Sequence, residues 1–579
     1  MKSSRENIVH GEVVDEAASE DHGGTDNPAL AVEIANEPVM PKKPEFSEEE
    51  LRSMVADKPA DLPQPPVSKL RRAAPQVLAT MAKNLLLLAY GMTIGFPTIV
   101  IPTLQNGEEP NLQLTPEQIS WFSSINLICV PIGGLLSGAL TNFMGRKKAM
   151  MLVNLPILIA WIMLRYTQSI PLLYFSLALT GFTGGLLEAP VLTYVAEITT
   201  PEMRGMLAST SSMSIIAGTF IQFVLATVLP WRDIAAYNII APVIAFCCLF
   251  LVPDSPYWLA TKGRDAEAHK SLAWLRGWVT PADVQEEFDY LLETVKTPNI
   301  MGSLSNGQMT KMEVFKNNLK PYTRATFIKP FILVSAAFFF GHFSGMTTLQ
   351  TYSVSIFEQL GAPIDPFLAT MLLGLVQLTG TLLCVIAVHW SGKRPLTLIS
   401  TVGAAICFGV TATYDIVRRH DPTVTASWVP LTFLLSSAFL THMGIRLLPW
   451  ILIGEVFPAD VRGMASGAAS SVGYIFGFLA NKTHFSLVSA VTLAGTFYIY
   501  VGVSLTATVL FYIFMPETEG RTLLEVTRHF AGHKAPGWKR RIPKKPKQDS
   551  ESMERTDGFG DMSKVHQDNI KSVNGDTHL

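Results

Sequence analysis

GIRLLPWILIGEVFPADVRG, residues 444–463, is apolar enough to lie in a membrane, yet it carries Arg446 nine residues before Glu455. Its ending recurs in EITTPEMRG, residues 197–205: both read Glu, six residues, Arg-Gly, and 455 minus 197 sets an offset of 258. Two more pairs follow in the same order along the chain. Gly145-Arg146-Lys147 matches Gly392-Lys393-Arg394, and Pro253-Asp254 matches Pro516-Glu517. Three matched pairs in one order mark a duplicated unit.

The rest of the chain has the composition such a unit needs. Its 579 residues are 48% hydrophobic and 16% charged, where a soluble chain carries about a quarter charged residues. A spanning helix needs about 20 mostly apolar residues. Twelve such runs are present, from about 84–104 to about 492–515, and the connection at 257–327 divides them six and six. Residues 1–30 lack the apolar core of a signal peptide, so the first span is expected to act as the insertion signal. The expected organisation is a disordered cytosolic tail over 1–78, a six-helix half over 79–256, a linker with short helices over 257–327, a second half over 328–528 and a disordered tail over 529–579. The short basic loops GRKKAM (145–150) and GKRPL (392–396) fall on one side, which the positive-inside rule makes cytosolic together with both termini. All five cysteines lie inside apolar runs and read as small buried side chains. No metal, cofactor, nucleotide or dinucleotide fingerprint appears, so neither an enzyme nor a nucleotide-driven pump is expected. The basic stretch HKAPGWKRRIPKKPKQ carries no nucleic-acid motif and reads as a membrane-flanking segment.

Parallel six-span repeats with a midplane solute site between the halves describe the major facilitator architecture. The wording is more specific. GALTNFMGRKK (138–148), EITTPEMRG, PDSPYWL (253–259), SGKRP (391–395), PWILIGEVFPADVRG (449–463) and PETEGRTL (516–523) together resemble the sugar porter family of that superfamily. EAPVLTYVAE and GIRLLPW are most similar to insect members related to facilitated trehalose transporters. The resemblance implies an all-α membrane protein of twelve helices, moving a sugar (trehalose, a hexose or a polyol) facilitatively by alternating access. It further implies a plasma-membrane location, the lipid bilayer and a small solute as partners, and no required oligomer.

It also implies a gating network at the helix ends. Arg146, Lys147, Glu197 and Arg204 would bridge helices of the first half, and Lys393, Arg394, Glu455 and Arg462 those of the second. As single residues these also suit ordinary positive-inside anchors. Asn142 and His389 stand where the family carries an acid, and Tyr257 where it carries an arginine.

The solute cavity, lined in this family by spans one, four, seven and ten, departs further. The span-seven frame QQLSGIN reads GHFSGMT here (341–347), with Gly341 and His342 for two glutamines and Thr347 for the asparagine. Trp450 keeps the position of the family's cavity tryptophan, and His342, Thr347 and Gln350 are weaker candidate contacts. Finally, 446 minus 258 is 188, and residue 188 is a glutamate. Glu188 and Arg446 are thus pseudo-equivalent and lie at equal depth. Each alone costs roughly 2.5–3.5 kcal/mol in a bilayer, while a pair about 4 Å apart would recover about 4 kcal/mol at an effective dielectric near 20. They are candidates to clasp the two halves, to hold an ionic or polar solute between them, or to sit in separate polar networks. The alternatives left open are a proton-coupled transporter of a non-sugar solute, through Glu188 or His342, and a non-transporting nutrient sensor.

Overall fold

A computed structural model describes residues 67–107, 109, 112–306, 320–421, 423, 426–458 and 461–532, with backbone alone over 296–306. The expected tails at 1–66 and 533–579 lie outside the described residues. Eleven of the described helices are long and apolar enough to cross a membrane. They are α1 (Lys69–Gln105), α2 (Pro116–Met144), α3 (Arg146–Tyr166), α4 (Ile170–Ile198), α5 (Pro201–Ala226), α6 (Trp231–Leu251), α7 (Ala325–Phe343), α8 (Pro366–Ser391), α9 (Lys393–His420), α10 (Trp428–Val456), and one continuous helix, Arg462–Phe514. That last helix has 53 residues, about 80 Å at 1.5 Å per residue, more than twice a hydrocarbon core. It bends at Thr492, whose φ of 67° and ψ of 171° are non-helical, and so makes two crossings, α11 before the bend and α12 after it. Twelve crossings result, and a β-branched residue at positive φ marks the corner between the last two.

Two boundaries differ from the sequence expectation. Helix α1 begins at Lys69, ten residues inside the expected N-terminal tail. Its first turns are polar because they dock on protein: Arg71 Nε donates to the Gly277 carbonyl at 3.1 Å, Arg72 pairs with Glu202 at 3.3 Å, and Gln76 Oε1 accepts from the Thr200 amide at 2.9 Å. At the other end, helix Leu523–Ala531 runs past the expected limit at 528. It buries Val526 and Phe530 against the second half, and Lys329 donates to the Phe530 carbonyl at 3.1 Å. Between the halves the linker forms helices Pro256–Thr261, Asp265–Leu275 and Gln285–Asn306. Arg276 pairs with Glu287 inside the linker at 2.8 Å and ties it to the bundle by donating to the Ile198 carbonyl at 3.1 Å.

Two helices are broken near mid-bundle. Helix α7 stops at Phe343 and resumes as short turns Met346–Thr351 and Ser353–Gln359. Helix α10 opens between Met443 and Leu448. A Cβ on Gly444 would lie 2.5 Å from Ser400 Cβ and 2.6 Å from the Leu396 carbonyl oxygen, so only glycine lets this turn reach α9. The freed Ile445 amide is taken by Ser400 Oγ at 3.1 Å and the Arg446 amide by the Thr441 carbonyl at 3.0 Å. Broken backbone is tolerated at membrane depth only when re-satisfied in this way. Gly444→Ala is expected to lower the unfolding midpoint in detergent by several degrees, through overpacking of about 1–3 kcal/mol.

Candidate functional site

The end of the bundle that carries the basic loops repeats one piece of chemistry twice. Gly145 (φ 93°) and Gly392 (φ 84°) each turn one helix into the next in a conformation open mainly to glycine. The helix N-termini that follow carry unpaired N–H groups and a partial positive charge. Asp254 Oδ1 accepts the Lys147 amide at 3.2 Å in the first half, and Glu517 accepts the Lys393 and Arg394 amides, both at 3.1 Å, in the second. Beside them Arg146 pairs with Glu197 at 2.6 Å and Lys393 with Glu455 at 2.7 Å. A hydroxyl completes each set: Ser255 donates to Glu197, and Thr518 donates to Glu455 at 2.9 Å. The second bases reach backbone carbonyls near the ends of α6 and α12, Lys147 to Phe250 at 3.0 Å and Arg394 to Tyr512.

Of the eight gating candidates, Arg146, Glu197, Lys393 and Glu455 are joined in ion pairs, each within its own half. Arg204 and Arg462 are not joined to their glutamates. Arg462 Nε donates instead to the Phe457 carbonyl at 3.3 Å. Sequence reading missed Asp254, Ser255, Glu517, Thr518 and Glu519 as site residues, although the PDSP and PETEG wording contained them. Glu519 adds a third arm, pairing with Lys393 at 2.6 Å and with His389 at 2.9 Å.

Burial works against the charge of Glu519, but Lys393 and then His389 outweigh it and hold this carboxyl below its usual range. A depressed pKa means that the stabilisation is present above the unfolded value, near 4.3, and is lost as the pH falls through the folded one. Wild-type protein is therefore expected to lose stability below about pH 4, and Glu519→Gln to lose less over that window in a thermal-melt series.

At the opposite end the halves are joined directly. Ser123 and Tyr352 share a 2.6 Å hydrogen bond, Asn481 Nδ2 donates to the Ser123 carbonyl at 3.2 Å, and Lys482 donates to Ser120 Oγ at 2.8 Å. Lys482 also lies over the Trp121 ring at 4.4 Å. Asn481, part of an Asn-x-Thr sequence, is thus a buried bridge between the halves.

Between these ends lies the charged centre. Arg446 sits in the α10 break, not on a continuous helix, and its Nη1 donates to Thr347 Oγ1 at 2.9 Å and to His342 Nδ1 at 3.1 Å. Since arginine can only donate, His342 Nδ1 accepts and a neutral imidazole carries its proton on Nε2. Gly477 of α11 leaves room for that ring, which a Cβ would approach within 3.0 Å. Glu188 accepts from Ser470 Oγ of the other half at 3.2 Å. Glu188 and Arg446 do not form an ion pair. Tyr90 of α1 lays its hydroxyl against Gly184, one turn before Glu188, and Tyr474 of α11 packs on Trp450, one turn after Ser470. Glu188, His342 and Arg446 are half-buried. Trp450 packs edge-on against Phe338 at 5.1 Å and Tyr474 at 5.7 Å and is 39% exposed. Gln350 meets the first half through its backbone carbonyl, which accepts from Thr98 at 3.1 Å. Tyr90, Tyr474 and Ser470 gave no signal in the sequence. A shallow apolar groove of about 580 Å³, lined by Ala405, Ile406, Thr413 and Tyr498, lies away from this centre and plays no part in it.

Residues 79–530 match the model of a family described as sugar (and other) transporter. The chain is 27% identical over 457 residues, 79% of its length and 88% of the relative's, to a facilitated trehalose transporter, Tret1, of Apis mellifera ligustica. It is 26% identical to the protein of the same name from Polypedilum vanderplanki, over 79% of this chain and 88% of that one. Among solved structures it is similar to the partially occluded inward-open xylose transporter XylE of E. coli, with a TM-score of 0.63 at 19% identity, covering 78% of this chain and all of the other. At that identity the likeness establishes the fold, the twelve-helix major facilitator bundle.

Proposed function

Because the chain belongs to the sugar (and other) transporter family, we propose that it carries a sugar (trehalose, a hexose or a related polyol) facilitatively across a membrane by alternating access. The observation that carries this reading is the asymmetry of the bundle. The halves are joined at one end through Ser123, Tyr352, Asn481 and Lys482, while at the other the charged networks stay within each half. Between the ends lie polar groups from both halves. Such a bundle presents its centre to one side, and rocking the halves presents it to the other. The basic end is taken as cytosolic, with both termini there, in the plasma membrane. Arg146, Glu197, Lys393 and Glu455 then brace each half, while His342, Thr347, Gln350, Trp450, Glu188 and Arg446 serve the solute.

Proton coupling is the second reading. It is favoured by Glu188, whose hydrogen bond crosses between the halves at Ser470, so that solute and proton would share one hinge. Uptake of labelled trehalose and glucose into oocytes at acid and neutral pH, beside Glu188→Gln, separates the two. Saturable uptake indifferent to pH supports facilitation. Uptake that rises in acid and loses that rise in Glu188→Gln supports coupling. No saturable uptake from protein at the surface refutes sugar transport. Within either reading Trp450→Ala is expected to raise KM about tenfold, the worth of about 1.4 kcal/mol of lost ring contact.

A further inference from the structure

Among the described residues the charge of Arg446 has no counter-ion in ion-pair contact. Guanidinium is always charged, and an intramembrane arginine is normally paired. Here its partners are a hydroxyl and a neutral imidazole, Thr347 and His342, and both are held by Nη1. Among the described residues, Nη2 and Nε have no hydrogen-bond partner and neither is a buried orphan, so that edge keeps access to the central space. An arginine anchored by one nitrogen and open along the other edge presents two parallel donors, the geometry that fits a carboxylate.

The opposite wall has the complementary chemistry. Glu188, when ionised, only accepts hydrogen bonds, and Ser470 supplies one from the second half. Its remaining lone pairs suit solute hydroxyls and repel a solute anion. Helix α11 links Glu188 and Arg446 without pairing them, with Ser470 on Glu188 and Gly477 against the His342 ring that Arg446 holds. Resting on the sugar-transport reading, we propose that this site takes a polyhydroxylated carboxylate, a sugar acid, with its carboxylate on the open edge of Arg446 and its hydroxyls toward Glu188. A neutral sugar satisfies Glu188 but leaves Arg446 without an anion. A carboxylate turned the other way meets Glu188, so orientation is set by attraction on one wall and repulsion on the other.

The test uses the full chain in nanodiscs, titrated calorimetrically with D-glucuronate and with D-glucose, and in parallel reconstituted for uptake of both. Wild-type protein is expected to bind glucuronate about tenfold more tightly than glucose or better, and Arg446→Gln to lower that ratio about tenfold. Arg446→Lys, which keeps the charge without the fork, is expected to fall between them. Wild-type binding of glucuronate no tighter than that of glucose overturns the proposal without recourse to any variant, as does an unchanged ratio in Arg446→Gln. Uptake is scored separately. Arg446-dependent glucuronate binding without transport of any sugar sinks the transport reading and leaves the anion subsite standing. Glucose transport without preferential glucuronate binding does the reverse.

Discussion

Gly181→Val is expected to remove folded protein altogether. Helices α2 and α4 cross closely, with glycines at the contact. A Cβ on Gly181 would fall on the Asn126 carbonyl oxygen, one on Gly185 on that of Val130, and one on Gly133 on that of Phe182. These are backbone atoms and cannot swing aside. In a bilayer, helix association rests on such close packing because lipid offers apolar side chains as much as protein does. Pushing α2 from α4 also moves Glu188 and Glu197, the partner of Arg146, both of which α4 carries. Overpacking of about 1–3 kcal/mol or more per site is large against a total stability of about 5–15 kcal/mol. The check is a monodisperse size-exclusion peak, expected for wild type and absent for Gly181→Val. Gly138→Ala is the control: it lies on the same α2, and a Cβ there meets nothing within 4 Å. A folded Gly181→Val protein would contradict the packing described.

Lys393→Met is expected to destabilise the second half almost as severely. Lys393 is 3% exposed and holds Glu455 at 2.7 Å and Glu519 at 2.6 Å. Removing it leaves two neighbouring carboxylates with their mutual repulsion and no ammonium. Breaking a fully buried pair by deleting one partner costs about 3–5 kcal/mol, and the cost here is smaller because Glu455 and Glu519 are 36% and 22% exposed. The cost is thus conditional on the acids remaining. Lys393→Met combined with Glu455→Gln and Glu519→Gln should recover much of the loss, since the remaining groups are neutral. Thermal midpoints of wild type, Lys393→Met, the Glu455→Gln/Glu519→Gln double variant and the triple variant decide it, with additive losses showing that the three side chains do not act as one unit.

Much of the fold could be read without coordinates, for physical reasons. Spanning length, the six-and-six division and the duplicated motifs each depend on short-range pattern, and the pattern survives folding. The boundaries failed where a segment's environment was protein instead of lipid or water. The first turns of α1 are polar because they lie against Gly277, Glu202 and Thr200, which no local pattern reveals. The site was less legible. Equal sequence depth put Glu188 and Arg446 at one level but said nothing of distance, and the α10 break at Gly444 displaces Arg446 from the helical rise assumed for it. Tyr90, Tyr474 and Ser470 sit in apolar runs where tyrosine and serine are unremarkable, and only the packing of the halves brings them to the charged pair. Asp254 and Glu517 were visible as a motif pair, but their work as helix caps depends on three amides 107 to 124 residues away in the chain.

Alternating access is the central claim, and the closed end offers its most direct test. Lys482 of α11 reaches Ser120 of α2 at 2.8 Å. Cysteines at these two positions, introduced with the five native cysteines replaced, would be bridged by a short, reductively cleavable bis-methanethiosulfonate, and counterflow of labelled sugar would be followed in proteoliposomes. The bridged protein should lose counterflow and regain it on reduction, while each single-cysteine protein treated alike should be unaffected. A fully bridged protein that exchanges sugar at the rate of the unbridged one would show that the halves need not part at this end, and would contradict the account.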